Sequence, residues 1–221
     1  KMWSNYGMTF VEYIFLKKFR NTKSESIKTQ IKGLEILNNL LKKNKPLIFV
    51  SGHFANFEMM SMELTKAKVN LATIYRPLNN FFINPYMEYL RKKYICQNQI
   101  KKGISGIREA ITFINNDCNI ALMVDQRVSE GKKISFFNYE AFTTTLPAQL
   151  ALKYDCEIVP IYISRNINNN FDMEILEPIN IPNRDNTEKN KINISLSINK
   201  IIEQMILRNP SQWIWTHNRW K

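Results

Sequence analysis

Two histidines, His53 and His217, are the only imidazoles in the chain, and one of them stands where chemistry is easily built. His53 follows Leu47-Ile48-Phe49-Val50, an unbroken apolar run of the kind that forms a buried strand. A helical segment begins just after it, near Asn56. In α/β sheets, sites gather beyond the carboxyl ends of the strands. Glu58 stands five residues on. Within one regular helix that separation would put the two side chains on different faces. With His53 in the loop and Glu58 in the first helical turns, they can converge. A carboxylate on imidazole Nδ1–H fixes the tautomer and leaves Nε2 as a general base. No Ser or Cys nucleophile sits beside the pair in an elbow motif. The expected His53–Glu58 dyad therefore deprotonates a substrate hydroxyl directly.

Two further strand ends carry polar residues. Arg76 follows the Leu71–Tyr75 run and is stopped there by Pro77. An arginine at that place can hold phosphate or carboxylate in a bidentate manner, or support an oxyanion; the alternative is a surface ion pair. Asn79 and Asn80 either bind polar substrate groups or make a turn. Asp125 and Gln126 follow Ile120–Val124. Asp125 either orients a catalytic group, pairs with Arg76, or caps the next turn. The segment Phe136–Thr143 is aromatic without a helical period, and either lines an acyl-chain pocket or belongs to the core. No P-loop, GxGxxG turn, HExxH helix or EF-hand occurs, and the aromatics lack an RNA-binding pattern.

The elements that must position these residues read as alternating strands and helices. Strands are expected at 47–50, 71–75, 95–100, 120–124, 158–163 and 171–176. Helices are expected at 3–19, 56–68, 84–93, 103–115, 146–154 and 193–207. A further amphipathic helix is read from Ile27, Ile31, Leu34, Leu37 and Leu41, with Ser24 or Ser26 as its N-cap. Alternation of this kind predicts one layered α/β domain, with a mostly parallel central sheet flanked by helices. Residues 1–45 form a helical, membrane-proximal segment in this reading and residues 46–221 the α/β domain.

Length and composition agree. A chain of 221 residues, 44% hydrophobic, can bury a core without staples. Cys96, Cys118 and Cys156 are odd in number and far apart, which excludes a disulfide framework and a CxxC metal site. No run of 18 apolar residues spans a membrane. The formal net charge is +12, which calls for an anionic partner: nucleic acid, a membrane face or an acidic protein. Residues 1–46 hold ten Lys/Arg against three Glu, so most of the surplus lies there.

Five blocks in order now form a pattern. Ser51-Gly52-His53-Phe54-Ala55-Asn56-Phe57-Glu58 is similar to the HX4D/E box of glycerolipid-type acyltransferases. It is closer still to the GHFGNWE form of the lipid A biosynthesis (lauroyl/myristoyl) acyltransferase family. Tyr75-Arg76-Pro77-Leu78-Asn79-Asn80, Val124-Asp125-Gln126, Phe136-Phe137 with Thr143 and Ala148, and Pro210-Ser211-Gln212-Trp213-Ile214-Trp215-Thr216-His217-Asn218-Arg219-Trp220 resemble that family's later blocks. Met2-Trp3 to Glu12-Tyr13 resembles the segment after its membrane anchor. Ala55 and Asn138 stand where the family has Gly, and Phe57 where it has Trp.

The resemblance implies transfer of a fatty acyl chain from acyl carrier protein, with acyl-CoA as a second donor, to a hydroxyl of a lipid A precursor. It implies His53 as base, Glu58 as its orienting partner, Arg76, Asn79, Asp125 and Gln126 at the substrate, and no metal or other cofactor. Acyl carrier protein, the lipid precursor and the membrane surface are then the partners of a monomer at the cytoplasmic face of a bacterial inner membrane. Nucleic acid is not expected. His217 is read as structural, and Arg219 as an ion-pair or lipid-headgroup contact. The rivals are an acyltransferase for another membrane lipid, such as a lysophospholipid or ornithine lipid, and a non-catalytic basic domain that binds membrane or nucleic acid. The second rival leaves unexplained why His53 and Glu58, Arg76, and Asp125 all fall just beyond expected strands.

Overall fold

The computed structural model describes residues 1–21 and 29–220. Its centre is the strand β2 (Leu47–Ser51), in which all five residues are buried. Alternate side chains enter opposite layers, as the pleat requires. Ile48 and Val50 pack with Ile120, Leu122 and Ile158, while Leu47 and Phe49 pack with Ala121, Val159 and Ile161. A strand apolar on both faces needs a layer on each side.

In chain order the elements are α1 (Met2–Glu12), α2 (Leu16–Arg20), β1 (Thr29–Lys32), α3 (Leu34–Leu41), β2, α4 (Glu58–Lys66), β3 (Leu71–Tyr75), α5 (Asn84–Leu90), β4 (Asn98–Lys101), α6 (Ile104–Asn115), β5 (Asn119–Met123), β6 (Lys132–Phe136), β7 (Tyr139–Thr143), α7 (Leu146–Tyr154), β8 (Glu157–Arg165), β9 (Phe171–Ile175) and α8 (Glu188–Arg208). Residues of α6, α7 and α8 build one layer and residues of α2 to α5 the other. The sheet order is β1-β9-β8-β2-β5-β3-β4. Every pairing in it is parallel except β8 with β9. The expected layered α/β domain is the one observed.

The helix expected from Ile27 to Leu41 is not. Ile31 lies in β1, which pairs in parallel with β9, and only Leu34–Leu41 is helical. Gly33 divides the two, with φ +80°. A Cβ there would stand 2.2 Å from the Ile175 carbonyl oxygen, so the backbone passes β9 at a distance only glycine permits. Ser24, Ser26 and Ile27 lie outside the described residues. The aromatic segment Phe136–Thr143 forms the hairpin β6–β7, packed on α8. Its turn residues Phe137 and Asn138 have φ +50° and +65°, as a type I′ turn requires. Among the described residues, no helix is long and apolar enough to cross a membrane.

Candidate active site

The sheet register assembles the site. Ser51 of β2 lies opposite Met123 of β5. Two residues further along each parallel strand come His53 and Asp125, and they meet. His53 Nδ1 lies 2.8 Å from Asp125 Oδ1, and the His53 backbone N–H donates to Asp125 Oδ2 at 2.9 Å. Gly52 permits this approach. A Cβ at that residue would lie 2.7 Å from the Phe54 ring and 3.3 Å from Asp125 Cβ.

Asp125 is 2% exposed, and a buried carboxylate must be hydrogen-bonded to remain ionised. Its third donor is the indole Nε1–H of Trp213, 2.8 Å from Oδ2. Burial pushes the Asp125 carboxyl up, but the His53 charge and the hydrogen bonds from His53 and Trp213 outweigh it and hold the group below the usual carboxylate range. With Nδ1–H given to Asp125, His53 Nε2 keeps its lone pair. Gln126 Nε2 stands 3.4 Å from it, and the Phe57 ring packs edge-on against the imidazole.

The carboxylate on His53 is therefore Asp125, and the expected His53–Glu58 pairing is corrected. Glu58 accepts from Arg91 Nε at 2.8 Å and from the Tyr13 hydroxyl, and Arg91 Nη2 donates to that same hydroxyl at 3.0 Å. All three residues are buried. Burial and the Glu58 charge push the Tyr13 phenol well above its ordinary value. The reason for the different pairing is local. Glu58 opens α4, the Asn56 side chain accepts from its backbone N–H, and its carboxylate points into the layer of α1 and α5. The neighbouring Asn56 side chain donates to Glu12, which is paired with Arg165. The Glu12–Asn56 bond thus ties α1 to the His53 loop, and the buried Tyr13–Glu58–Arg91 network ties the turn after α1 to α4.

Arg76 is exposed beyond β3. Lys102 lies beside it, since Tyr75 is in register with Lys101 and the Lys102 N–H donates to the Tyr75 carbonyl at 2.8 Å. Asn79 is exposed. Asn80 makes a turn, its side chain accepting from the N–H groups of Phe82 and Ile83. His217 is solvent-exposed. Partial burial lowers its imidazole pKa, as do the charges of His53, Arg76 and Lys102, against the opposing pull of Asp125. His217 thus stands in the electrostatic field of the site.

Arg219 is fully buried and, among the described residues, has no carboxylate within salt-bridge distance. It donates to the Phe142 carbonyl and to Thr143 Oγ1, and lies over the Phe136 ring. Burial pulls its guanidinium down to about 10, against the opposing influence of Asp125. The expected ion-pair or headgroup contact is thus a clamp on the β6–β7 hairpin.

A comparison with known protein families matches residues 1–221 to one of them, bacterial lipid A biosynthesis acyltransferase. The chain belongs to that family. No curated relative matches it.

The protein is an acyltransferase, and its C-terminal block now has a physical account. Gln212 pairs with the Arg165 backbone in both directions, at 2.7 Å each. Its carbonyl accepts from the Ala55 N–H at 2.9 Å, and Ile214 N–H donates to the His53 carbonyl at 3.2 Å. The segment therefore grips the His53 loop from beyond β8 while Trp213 reaches Asp125. Trp213 was absent from the candidate site residues, as were Tyr13 and Arg91. The available signal was the C-terminal block from Pro210 to Trp220, but its tryptophans Trp213, Trp215 and Trp220 equally suit packing or an interfacial belt. Ala55, at a position where glycine is usual in the family, has φ +43°, which explains the glycine.

Proposed function

We propose that this acyltransferase moves a fatty acyl chain from acyl carrier protein to a hydroxyl of a lipid A precursor, at the cytoplasmic face of the inner membrane. His53 Nε2 takes the proton from the acceptor hydroxyl. The alkoxide attacks the thioester carbonyl, and the tetrahedral oxyanion collapses with departure of the carrier thiolate. The thiolate recovers the proton from the imidazolium. Asp125 holds the ring in the tautomer that leaves Nε2 free and stabilises the imidazolium. Glu58, in this reading, holds the scaffold on which the His53 loop rests. Arg76 grips a lipid phosphate and Gln126 borders the reacting hydroxyl, with Asn79 on the approach from β3.

The observation that carries this reading is the His53–Asp125 hydrogen bond at the joined ends of β2 and β5, in a chain of this family. The test is an acyl-transfer assay with the purified protein, acylated carrier protein and a panel of acceptors: a lipid A precursor, a lysophospholipid and an ornithine lipid. Transfer to the lipid A precursor is expected, and His53→Ala should abolish it. A preference for another lipid would redirect the acceptor assignment. Wild-type rates from a folded His53→Ala protein would overturn the mechanism.

A further inference from the structure

The route from β3 to α5 carries a surface that neither the fold nor the dyad uses. Asn80 accepts from Phe82 N–H and Ile83 N–H at 3.0 and 3.1 Å, and Asn84 accepts from Leu78 N–H at 2.7 Å. These bonds fix a tight convex corner. At its tip Phe81 is 82% exposed and Phe82 88%. Ile83 and, within α5, Tyr86 and Tyr89 are also exposed, while Met87 and Leu90 on the adjacent stripe are buried. A surface helix normally turns polar groups outward; α5 turns two aromatic rings outward. The neighbouring strand exit repeats the pattern. After β4, Ile104 is 78% exposed at the start of α6.

Cations ring these groups. Arg76 and Lys102 lie beside each other at the ends of β3 and β4. Lys93 lies just past the end of α5, with its ammonium on the Tyr89 hydroxyl at 2.6 Å and 5.0 Å from the ring centroid. The nearby carboxylate Glu88 is already paired with Lys101 at 3.5 Å. Apolar tips, aromatic rings with hydroxyls and a positive rim are the composition of an element that lies in a bilayer interface. Apolar side chains held at more than four-fifths exposure, as Phe81 and Phe82 are, suit insertion into a fluid lipid layer.

We infer that the Phe81-Phe82-Ile83 corner, with α5 and the start of α6, docks the enzyme onto an anionic lipid surface. The corner lies a few residues past Arg76, on the same edge of the sheet as His53, so docking would bring a membrane-embedded acceptor to the base without leaving the bilayer. The inference rests on the lipid-acceptor reading above. Its deciding readout is vesicle binding, which needs no acyl transfer, so the two can fail separately.

The full chain is floated with vesicles of phosphatidylethanolamine and phosphatidylglycerol, and in parallel with pure phosphatidylcholine. Wild type is expected to bind the anionic vesicles. Phe81→Ser with Phe82→Ser should weaken binding by ~10-fold or more while leaving thermal unfolding unchanged, because little of either side chain is buried on folding. Lys93→Gln should cost roughly fivefold on anionic vesicles and little on phosphatidylcholine. Ile192→Ser, on the first turns of α8, should change nothing. A detergent-dispersed acceptor should be turned over normally by the double Phe variant, and a vesicle-embedded one slowly. The inference is overturned if wild type does not bind vesicles, or if the double variant binds like wild type. It is also overturned if sedimentation shows that the variant dissociates a dimer, which would make a second copy the occupant, or if it loses only binding to the carrier protein.

Discussion

Trp213 donates its indole N–H to Asp125, the same carboxylate that holds Nδ1 of His53. A residue from the C-terminal block and one from the end of β5 thus act on a single imidazole. Trp213→Phe keeps the ring in its buried site and removes only the donor. Leaving a buried carboxylate one donor short costs about 1–3 kcal/mol. The expected result is a kcat reduced roughly tenfold, since a carboxylate freed on one side orients His53 less well. Comparing kcat with KM for the carrier substrate checks it: a change confined to KM would place Trp213 in substrate binding instead.

The base and its partner should behave as a unit. His53→Ala and Asp125→Asn are each expected to lower kcat by ~10²–10⁴-fold, the usual contribution of general base catalysis, and the double variant should lose little more than either single one. Steady-state rates of all three, with circular dichroism to confirm folding, decide this.

Glu58 should report differently. Its carboxylate is buried against Arg91 and Tyr13. Glu58→Gln leaves the Arg91 cation without its counterion, and breaking such a pair typically costs about 3–5 kcal/mol. The midpoint of urea unfolding should fall sharply. At a temperature where the variant stays folded, the pH dependence of kcat should match wild type. A kcat loss equal to that of Asp125→Asn, without loss of stability, would restore Glu58 to the dyad.

Much of the fold was legible because local pattern decides it. The runs Leu71–Tyr75 and Leu146–Tyr154 are β3 and α7 residue for residue, since an apolar run and a helical period need no distant information. The partner of His53 was not legible. Glu58 stands five residues away and fits a local argument, whereas Asp125 becomes a neighbour only through the order β2-β5 in the sheet, a long-range choice that no local period encodes. Ile31 failed for a related reason. Its spacing suits a helix, but the edge of β9 offers hydrogen bonds to a strand, and Gly33 lets the chain take them.

Asp125 also sets an acid limit. Its pKa in the fold is below that of the unfolded chain, about 3.9, so its ionised form stabilises the protein at neutral pH. That contribution is complete above the unfolded value and is lost as pH falls through the folded one. Urea midpoints measured downward from pH 7 should separate wild type from Asp125→Asn near neutrality, with the gap beginning to close only below pH ~4 and closing as pH falls through the folded pKa. Parallel curves over the whole range would show that Asp125 is not held ionised by the fold.

Ala55 should tolerate glycine. Its φ of +43° costs an L-residue roughly 1–2 kcal/mol, and glycine returns about 0.5–1 kcal/mol of that as extra freedom in the unfolded chain. The Ala55 methyl is also fully buried, and its loss costs about 0.8 kcal/mol. The terms nearly cancel, so Ala55→Gly should leave Tm within ~2 °C of wild type. Differential scanning calorimetry reads it directly.

The bridge between Phe54 and Trp213 bears on how the enzyme comes into being. During synthesis the His53 loop leaves the ribosome well before the segment that clamps it. The 88 residues between Asp125 and Trp213 take roughly 4–18 s to translate. Through that interval β2 and β5 can pair while Asp125 lacks its third donor and the loop lacks its backbone partners. A nascent chain therefore has its fold before it has its activity, and the base is set only when the last aromatic block arrives.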